Sequence, residues 1–354
     1  MLWILPIEPL EERYTKQWYD WFPQECERQG IKYEVIDGVP LTDRVEVGTF
    51  LDVNSTMHYK ATQIAVLAGN IRCGLVHKSD TIFLADGEMF GMEGSIRYLL
   101  QMNGLADVKV VAFIHAGSYT QGDFVQQCSY FAEKYEQAWA NVFDMILVGS
   151  EYHAHRLYNH RGIPLEMIQV TGNPYDVDAV KSSITYRPKV KRVIHTNRPD
   201  PEKQPDVTLD IFEVLKQKHP DWEFMVTTSR RVWGAPDLRK RALRLQEQGI
   251  IQVRENLTKV EYLSLLQESV VMTGNTIEEN FGYCLLEAML MDAIPVVPED
   301  YSHPELVGGD RRCMFASRGE QIIGIEMAMD HPFPVSQYAE QYRHSLQNIV
   351  KLLK

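Results

Sequence analysis

The sequence predicts an α/β protein built from two doubly wound, Rossmann-like units, and three observations carry that expectation. Short apolar and β-branched runs alternate with helix-length segments along the chain, the pattern of parallel strands covered by helices on both faces. The alternation falls into two series separated by a polar stretch. At 354 residues, with 45% hydrophobic and 24% charged side chains, the chain is long enough for two ordinary globular cores.

The first series is "LWILPI", "KYEVID", "DTIFLAD", "VKVVAFIHA" and "DMILVGS", and the second is "VKRVIHT", "WEFMVTT", "GIIQVR", "SVVMTG" and "AIPVVPE". Between them lies "DVDAVKSSITYRPKVK", which holds Pro188. A boundary there gives an N-terminal unit over 1–180 and a C-terminal unit over 181–335. Residues 336–354 have helical spacing and are expected to cross back onto the first unit. The opening "MLWILPIEPLEERY" has no basic start and no small-residue cleavage site, so it reads as a first buried strand. No segment approaches the roughly 20 apolar residues that cross a bilayer. The five cysteines are scattered without a Cys-x-x-Cys, which suits reduced thiols and a cytoplasmic location. A formal net charge of −12 argues against general attraction to nucleic acid or anionic lipid.

Ligands of open parallel sheets gather at the C-terminal ends of strands. The residues just past each strand are therefore the candidates, and a cleft between two facing units is the expected site. Past "SVVMTG" comes "NTIEENFGYCLLEAML", with Glu279 and Glu287 eight positions apart and Phe281-Gly282 between them. Gly282 lets the backbone approach a ligand, and free amides at the start of the next helix suit a phosphate or a sugar oxygen. The plainer readings are a helix-dipole role for Glu279 and a solvated position for Glu287, though the apolar run around Glu287 disfavours the latter. Past "RVIHT", the loop "NRPDPEKQP" sets Arg198 and Lys203 before an amphipathic helix. They are either a diphosphate clamp or a pair of solvated loop charges.

In combination, Arg-x4-Lys after the first strand of the second series and Glu-x7-Glu with Phe-Gly inside it resemble the retaining glycosyltransferases of GT-B fold, in their family-4-like group. The resemblance implies two Rossmann-like domains facing across a cleft and transfer of a sugar from a nucleotide-diphosphate donor, a uridine diphosphate sugar by expectation, with no further cofactor and no metal. It implies that Arg198 and Lys203 hold the diphosphate, that Glu279 contacts the transferred sugar and Glu287 binds the ribose, with Asn197, Asn280, Phe281 and Gly282 among the donor-binding residues. His115, just past "VKVVAFI", matches a histidine near the donor sugar in similar enzymes and completes a catalytic set with Glu279, Arg198 and Lys203. Its alternative is a hydrogen-bonded structural histidine. The glycine-rich loop usual after the family's first strand is replaced here by "LPIEPLEERYTKQW", where Arg13 and Tyr14 are expected to take that place. A sugar-nucleotide epimerase and a non-catalytic nucleotide-sugar-binding module are the alternative functions.

For the acceptor, Asp86, Glu88, Ser118, Tyr119 and Asp123 lie near strand ends of the first series beside Arg13 and Tyr14, and each could equally cap a helix or hold a loop. The segment "SRRVWGAPDLRKRALR" sets Arg230, Arg231, Arg239, Lys240, Arg241 and Arg244 against one acid, Asp237, with Trp233 interleaved. Such a patch is either a solvated helix face with a packed tryptophan or a track for a phosphate backbone. The second reading would make a hydroxymethylated base in DNA the acceptor; otherwise a glycan or small molecule is expected. No basic amphipathic helix of the membrane-docking kind is evident.

Overall fold

The computed structural model describes residues 1–10, 14–42, 52–89, 91–228, 233 and 235–354. Two compact units divide the chain. One is Met1–Asp176 together with His344–Lys354, and the other is Val177–Arg343.

The first unit holds a six-stranded sheet of β1 (Leu2–Leu5), β2 (Tyr33–Val35), β3 (Thr81–Leu84), β4 (Lys109–Phe113), β5 (Met145–Val148) and β6 (Ile168–Val170). The spatial order is β2-β1-β3-β4-β5-β6, and every pairing is parallel. The strands read as continuous apolar runs because both faces are covered. Alternate residues Trp3, Leu5, Ile82, Leu84, Val110 and Ala112 enter one core. Phe83 and Phe113 point the other way and meet Phe22 and Trp18 of the helix Tyr14–Arg28, each at a ring-centroid distance of 5.0 Å. The C-terminal helix Ser345–Leu352 packs on that same helix, where Gln29 Nε2 donates to the Gln347 carbonyl at 3.0 Å.

The second unit repeats the scheme with β7 (Val190–His195), β8 (Glu223–Thr227), β9 (Gln252–Arg254), β10 (Ser269–Thr273), β11 (Ile294–Pro298) and β12 (Met314–Phe315). The order is β12-β11-β10-β7-β8-β9, again all parallel. The fold class is thus the doubly wound α/β architecture that the apolar runs predict, with β6 and β12 in addition. No helix among the described residues is long and apolar enough to cross a membrane.

Each sheet has one place where its direction of growth reverses, between β1 and β3 in the first unit and between β7 and β10 in the second. Connections leave such a point on opposite faces and open a crevice beyond the strand ends. The loops after β1, β3, β7 and β10 are therefore the ones the fold positions for ligands.

Candidate functional site

In the second unit, the loops after β7 and β10 meet at the reversal point. The Ile277 amide donates to the Glu202 carbonyl at 2.9 Å, and Asn197 Nδ2 reaches the Asn275 carbonyl at 3.4 Å. Gly274 makes the approach feasible, because a Cβ there would stand 2.7 Å from Asn197 Nδ2. Lys203 Nζ then lies 2.8 Å from Glu279 Oε2 and 3.2 Å from Thr276 Oγ1. These bonds use two of the three ammonium donors. Burial pushes the Glu279 carboxyl up, but the Lys203 charge and hydrogen bond, with a smaller contribution from His303, hold it below the usual range. Glu279 is thus an anion with a cation beside it at a strand end.

Arg198 is more committed than a bare clamp would be. Nη1 donates to Asp200 Oδ2 at 2.8 Å and Nη2 to Glu202 Oε1 at 2.6 Å. Gly282, with φ of 90°, begins the helix Tyr283–Leu290 without any side-chain cap. Only a glycine takes this backbone conformation without strain. Phe281 is buried and packs edge-on against Tyr283 and Tyr342, so its ring fills the core beside the loop. Asn280 is likewise buried. Glu287 sits inside the same helix, 2% exposed, paired with Lys259.

In the first unit, the loop after β3 carries Asp86 and Glu88. Lys60, buried on the helix Val53–Arg72, places Nζ 2.6 Å from Asp86 Oδ2 and also donates to the Glu88 carbonyl. Burial raises the Asp86 carboxyl, while Lys60 and then His115 pull it to a net value below normal. Glu88 goes the other way: burial, followed by repulsion from Asp86, pushes it well above the carboxylate range. Its Oε1 is shut from solvent without a hydrogen-bond partner. His115, just past β4, has Nε2 2.8 Å from the Ala85 carbonyl, so Nε2 carries the proton and Nδ1 is left to accept. The Tyr14 hydroxyl is 3.4 Å from Nδ1, and the Trp18 ring lies 4.7 Å away by centroid. His115 is therefore held as a structural histidine would be, at a strand end beside two acids. Arg13 lies outside the described residues.

Other residues expected at an acceptor each hold a partner within the fold. Ser118 is buried and gives both its amide and its hydroxyl to Glu136, at 2.6 and 2.9 Å. The Tyr119 hydroxyl is hydrogen-bonded to Nε2 of buried His153 at 2.6 Å. Asp123 caps a short helical turn, accepting from the Val125 amide at 3.1 Å.

The positive surplus expected over 229–244 is offset in part by acids from elsewhere in the fold, Glu255, Asp210 and Glu213, beside the segment's own Asp237. Arg239 makes two bonds of 2.8 Å to Glu255, Lys240 pairs with Asp237, and Arg241 is held by Asp210 and Glu213. Trp233 is 2% exposed and donates to Glu255 Oε1 at 2.9 Å, so its ring offers no face for a base to stack on. Arg244 is exposed in the last turn of its helix, and Arg230 and Arg231 lie outside the described residues. The one Asp-x-Asp nearby in the chain, Asp176 and Asp178, is taken up by Arg28 and Arg343 respectively.

Local reading missed Lys60, Lys259, Glu136 and Gly274. None belongs to a local motif, and each matters through a partner distant in sequence.

Three buried histidines give the folded chain a defined pH response. Burial lowers His153 to about 3 and His195 and His303 each to about 4. The unfolded chain binds these protons first, so their contribution is complete above about pH 6.5 and is lost as pH falls toward 4. Glu88 and Glu93, raised by burial, act with the opposite sign, but there are two of them against three histidines. Stability is expected to fall on acidification from pH 5.5 to 4.5, where the unfolded histidines are almost fully protonated, by on the order of 1 kcal/mol per pH unit, readable as a falling melting midpoint. A midpoint that holds or rises over this window would contradict the assignment.

No family model matches the chain, and no curated protein matches its sequence. Solved structures do match. The pneumococcal O-GlcNAc transferase GtfA, solved with UDP and GlcNAc, aligns with TM-score 0.60 at 13% identity over 82% of this chain and 60% of its own. HepE of Anabaena, solved with UDP, aligns with TM-score 0.63 at 15% identity over 99% of this chain and 96% of its own. An α,α-trehalose-phosphate synthase (UDP-forming) of Burkholderia vietnamiensis aligns with TM-score 0.63 at 12% identity over 99% and 96%. The chain spans about 60% of the length of the pneumococcal protein and nearly all of the other two. The two-sheet α/β fold is the GT-B fold of these glycosyltransferases.

Proposed function

We propose that the chain is a retaining, family-4-like glycosyltransferase that moves a sugar from a nucleoside diphosphate carrier, uridine diphosphate in the first instance, to an acceptor hydroxyl. The observation that carries the reading is the Lys203–Glu279 contact of 2.8 Å at the reversal point of the second sheet. A cation and an acid that share a strand-end crevice match the two ends of a sugar diphosphate. The fold shared with structures that contain UDP supports the choice of nucleotide.

In this reading the bond between the anomeric carbon and the diphosphate oxygen breaks, and negative charge grows on the departing phosphate. Lys203, with its third donor, and the uncapped amides after Gly282 stabilise that charge without a metal. Arg198, oriented by Asp200 and Glu202, adds to the positive potential. The acceptor oxygen attacks from the face the leaving group departs from, its proton passes to the leaving phosphate, and configuration is retained. Glu279 is assigned to a hydroxyl of the transferred sugar and Glu287 to the ribose. His115 is the first-unit residue assigned to the sugar. Asp86 and Glu88, with Tyr14 beside them, are assigned to the acceptor.

The test is a panel of uridine, guanosine and adenosine diphosphate sugars, scored by thermal shift and by diphosphate release, with neutral glycans and hydroxymethylated DNA as acceptors. A uridine diphosphate sugar is expected to stabilise the chain, with release accelerated by an acceptor. Acceleration by neutral glycans alone would remove the DNA reading, whose basic segment is already partly offset by Glu255, Asp210 and Glu213. Conversion of the donor sugar without any acceptor would mark an epimerase. Binding with neither transfer nor release would mark a non-catalytic module, and absence of binding would overturn the proposal.

A further inference from the structure

Glu287 is the one acid in the helix Tyr283–Leu290, surrounded in sequence by buried Leu285, Leu286, Ala288, Met289 and Leu290. Its side chain is 3% exposed. A carboxylate so placed needs a cation or several donors, and Lys259 supplies the cation from the first turn of the helix Lys259–Glu268. That position is electrostatically wrong for a lysine, because the helix N-terminus favours acids. The helix does not depend on it either: Thr258 and Glu261 form a reciprocal cap, with the Thr258 amide donating to Glu261 Oε2 at 2.8 Å and the Glu261 amide to Thr258 Oγ1 at 3.3 Å. The cap fixes the backbone from which Lys259 reaches, and what the lysine serves is Glu287.

The surroundings of the pair are also unfinished. Thr196, the first residue past β7, is 7% exposed, and its hydroxyl and that of Tyr262 are both shut from solvent, short of good hydrogen-bond geometry even with each other. Tyr262 lies within electrostatic reach of Glu287 and Cys284, its ring 5.2 Å from the Lys259 ammonium, and Cys284 Sγ reaches the Thr196 carbonyl at 3.6 Å. Tyr262 faces Thr196 and Cys284 only in loose hydrogen-bond geometry, and for buried hydroxyls held so weakly an ordered water or a bound polar group is the ordinary remedy.

We propose that Lys259 is a positioning residue for nucleotide recognition: by pinning one oxygen of Glu287 it presents a fixed acceptor to the ribose diol, and so sets the preference for a ribonucleotide over its 2′-deoxy counterpart. The proposal rests on the reading of Glu287 as the ribose partner. A pinned, desolvated carboxylate rewards a hydroxyl and penalises its absence, because the buried charge is then under-satisfied. A carboxylate freed of its lysine turns away from the ligand and loses that selectivity.

Calorimetric titration of the full chain with UDP and with 2′-deoxy-UDP tests this in the parent, Lys259→Ala, Lys259→Arg and Glu287→Gln. The parent is expected to bind UDP at least about tenfold more tightly than the deoxy form. Lys259→Ala should lose most of that ratio by weakening UDP alone, and Lys259→Arg should restore it. A Lys259→Ala chain that keeps the ratio, whether both affinities are unchanged or fall together, overturns the proposal, and a weakened Glu287→Gln in the same series leaves the ribose reading standing. A Glu287→Gln chain that binds UDP like the parent overturns both. The Lys259 side chain is 41% exposed, so its removal opens no core cavity, and Lys259→Arg, which keeps the cation beside buried Glu287, controls for the cost of stranding that charge.

Discussion

Lys203→Ala is expected to lower kcat/KM by about 10³-fold, the scale set by loss of one preorganised donor to a developing oxyanion. Two effects combine. The third donor of the ammonium no longer meets the departing phosphate, and Glu279 loses the partner that holds it 2.8 Å away at the strand end. The second effect raises an objection, since a disturbed Glu279 could spoil the loop without any role for Lys203 in chemistry. A double variant, Lys203→Ala with Glu279→Gln, tests by its melting midpoint how far the single change disturbs the loop, and comparison of Lys203→Ala with Lys203→Arg tests the role in transfer. The double variant removes cation and anion together, so the loop keeps its neutral hydrogen-bond capacity and its melting midpoint should return toward that of the parent. Transfer should stay lost, and Lys203→Arg should recover only part of it, because a guanidinium cannot point a single ammonium at the same place. A parent-like rate in Lys203→Ala would falsify the diphosphate reading.

The parts of this site that were legible in the sequence are those whose geometry is local. Lys203 follows β7 and Glu279 follows β10 because a strand end and its loop are contiguous, and the reversal between these two strands brings the loops together. Most of the ten apolar runs could be read as strands because they are buried on both faces, while the edge strands β2 and β9 are only partly buried and were marked by the apolar residues beside them. β6 and β12, three and two residues long, carry too little pattern to distinguish from loop. Charge was misleading for the opposite reason. A window over 229–244 counts Arg239 and Arg241 as surplus, yet their partners Glu255, Asp210 and Glu213 come from other segments that only the folded unit brings near. The same holds for Glu287, whose apolar context was plain while the lysine that makes its charge tolerable lies on a different helix. Arg198 shows both sides: its position at the strand end was readable, its commitment to Asp200 and Glu202 was not.

Glu136→Ala is expected to be the most destabilising single change in the first unit, at about 3–5 kcal/mol. Glu136 is 1% exposed on the helix Ser129–Gln137 and joins three elements. It accepts the amide and hydroxyl of Ser118 from the loop after β4 and the guanidinium of Arg161 from the end of the helix Glu151–Arg161. Arg161 also donates to Ser118 Oγ at 2.9 Å and lies over the Tyr119 ring, 5.0 Å from its centroid. Gly117 is required in the same knot, since a Cβ there would stand 2.3 Å from Tyr119 Cε1 and 3.0 Å from Glu136 Oε1. Removing the carboxylate leaves a nearly buried arginine without its anion and two Ser118 donors unmet, which is why the cost exceeds that of a surface pair. Glu136→Gln, which keeps the acceptor and loses the charge, should fall between the parent and alanine. The change also has a functional signature: the loop it loosens carries His115, while the donor loops belong to the other sheet. Transfer should therefore fall with UDP affinity held within about twofold, a difference too small to reflect a lost hydrogen bond. A Glu136→Ala chain that unfolds at the parent's denaturant midpoint would show that the Arg161 cation finds water or another acceptor, and that this network holds the loop far less firmly than its burial implies.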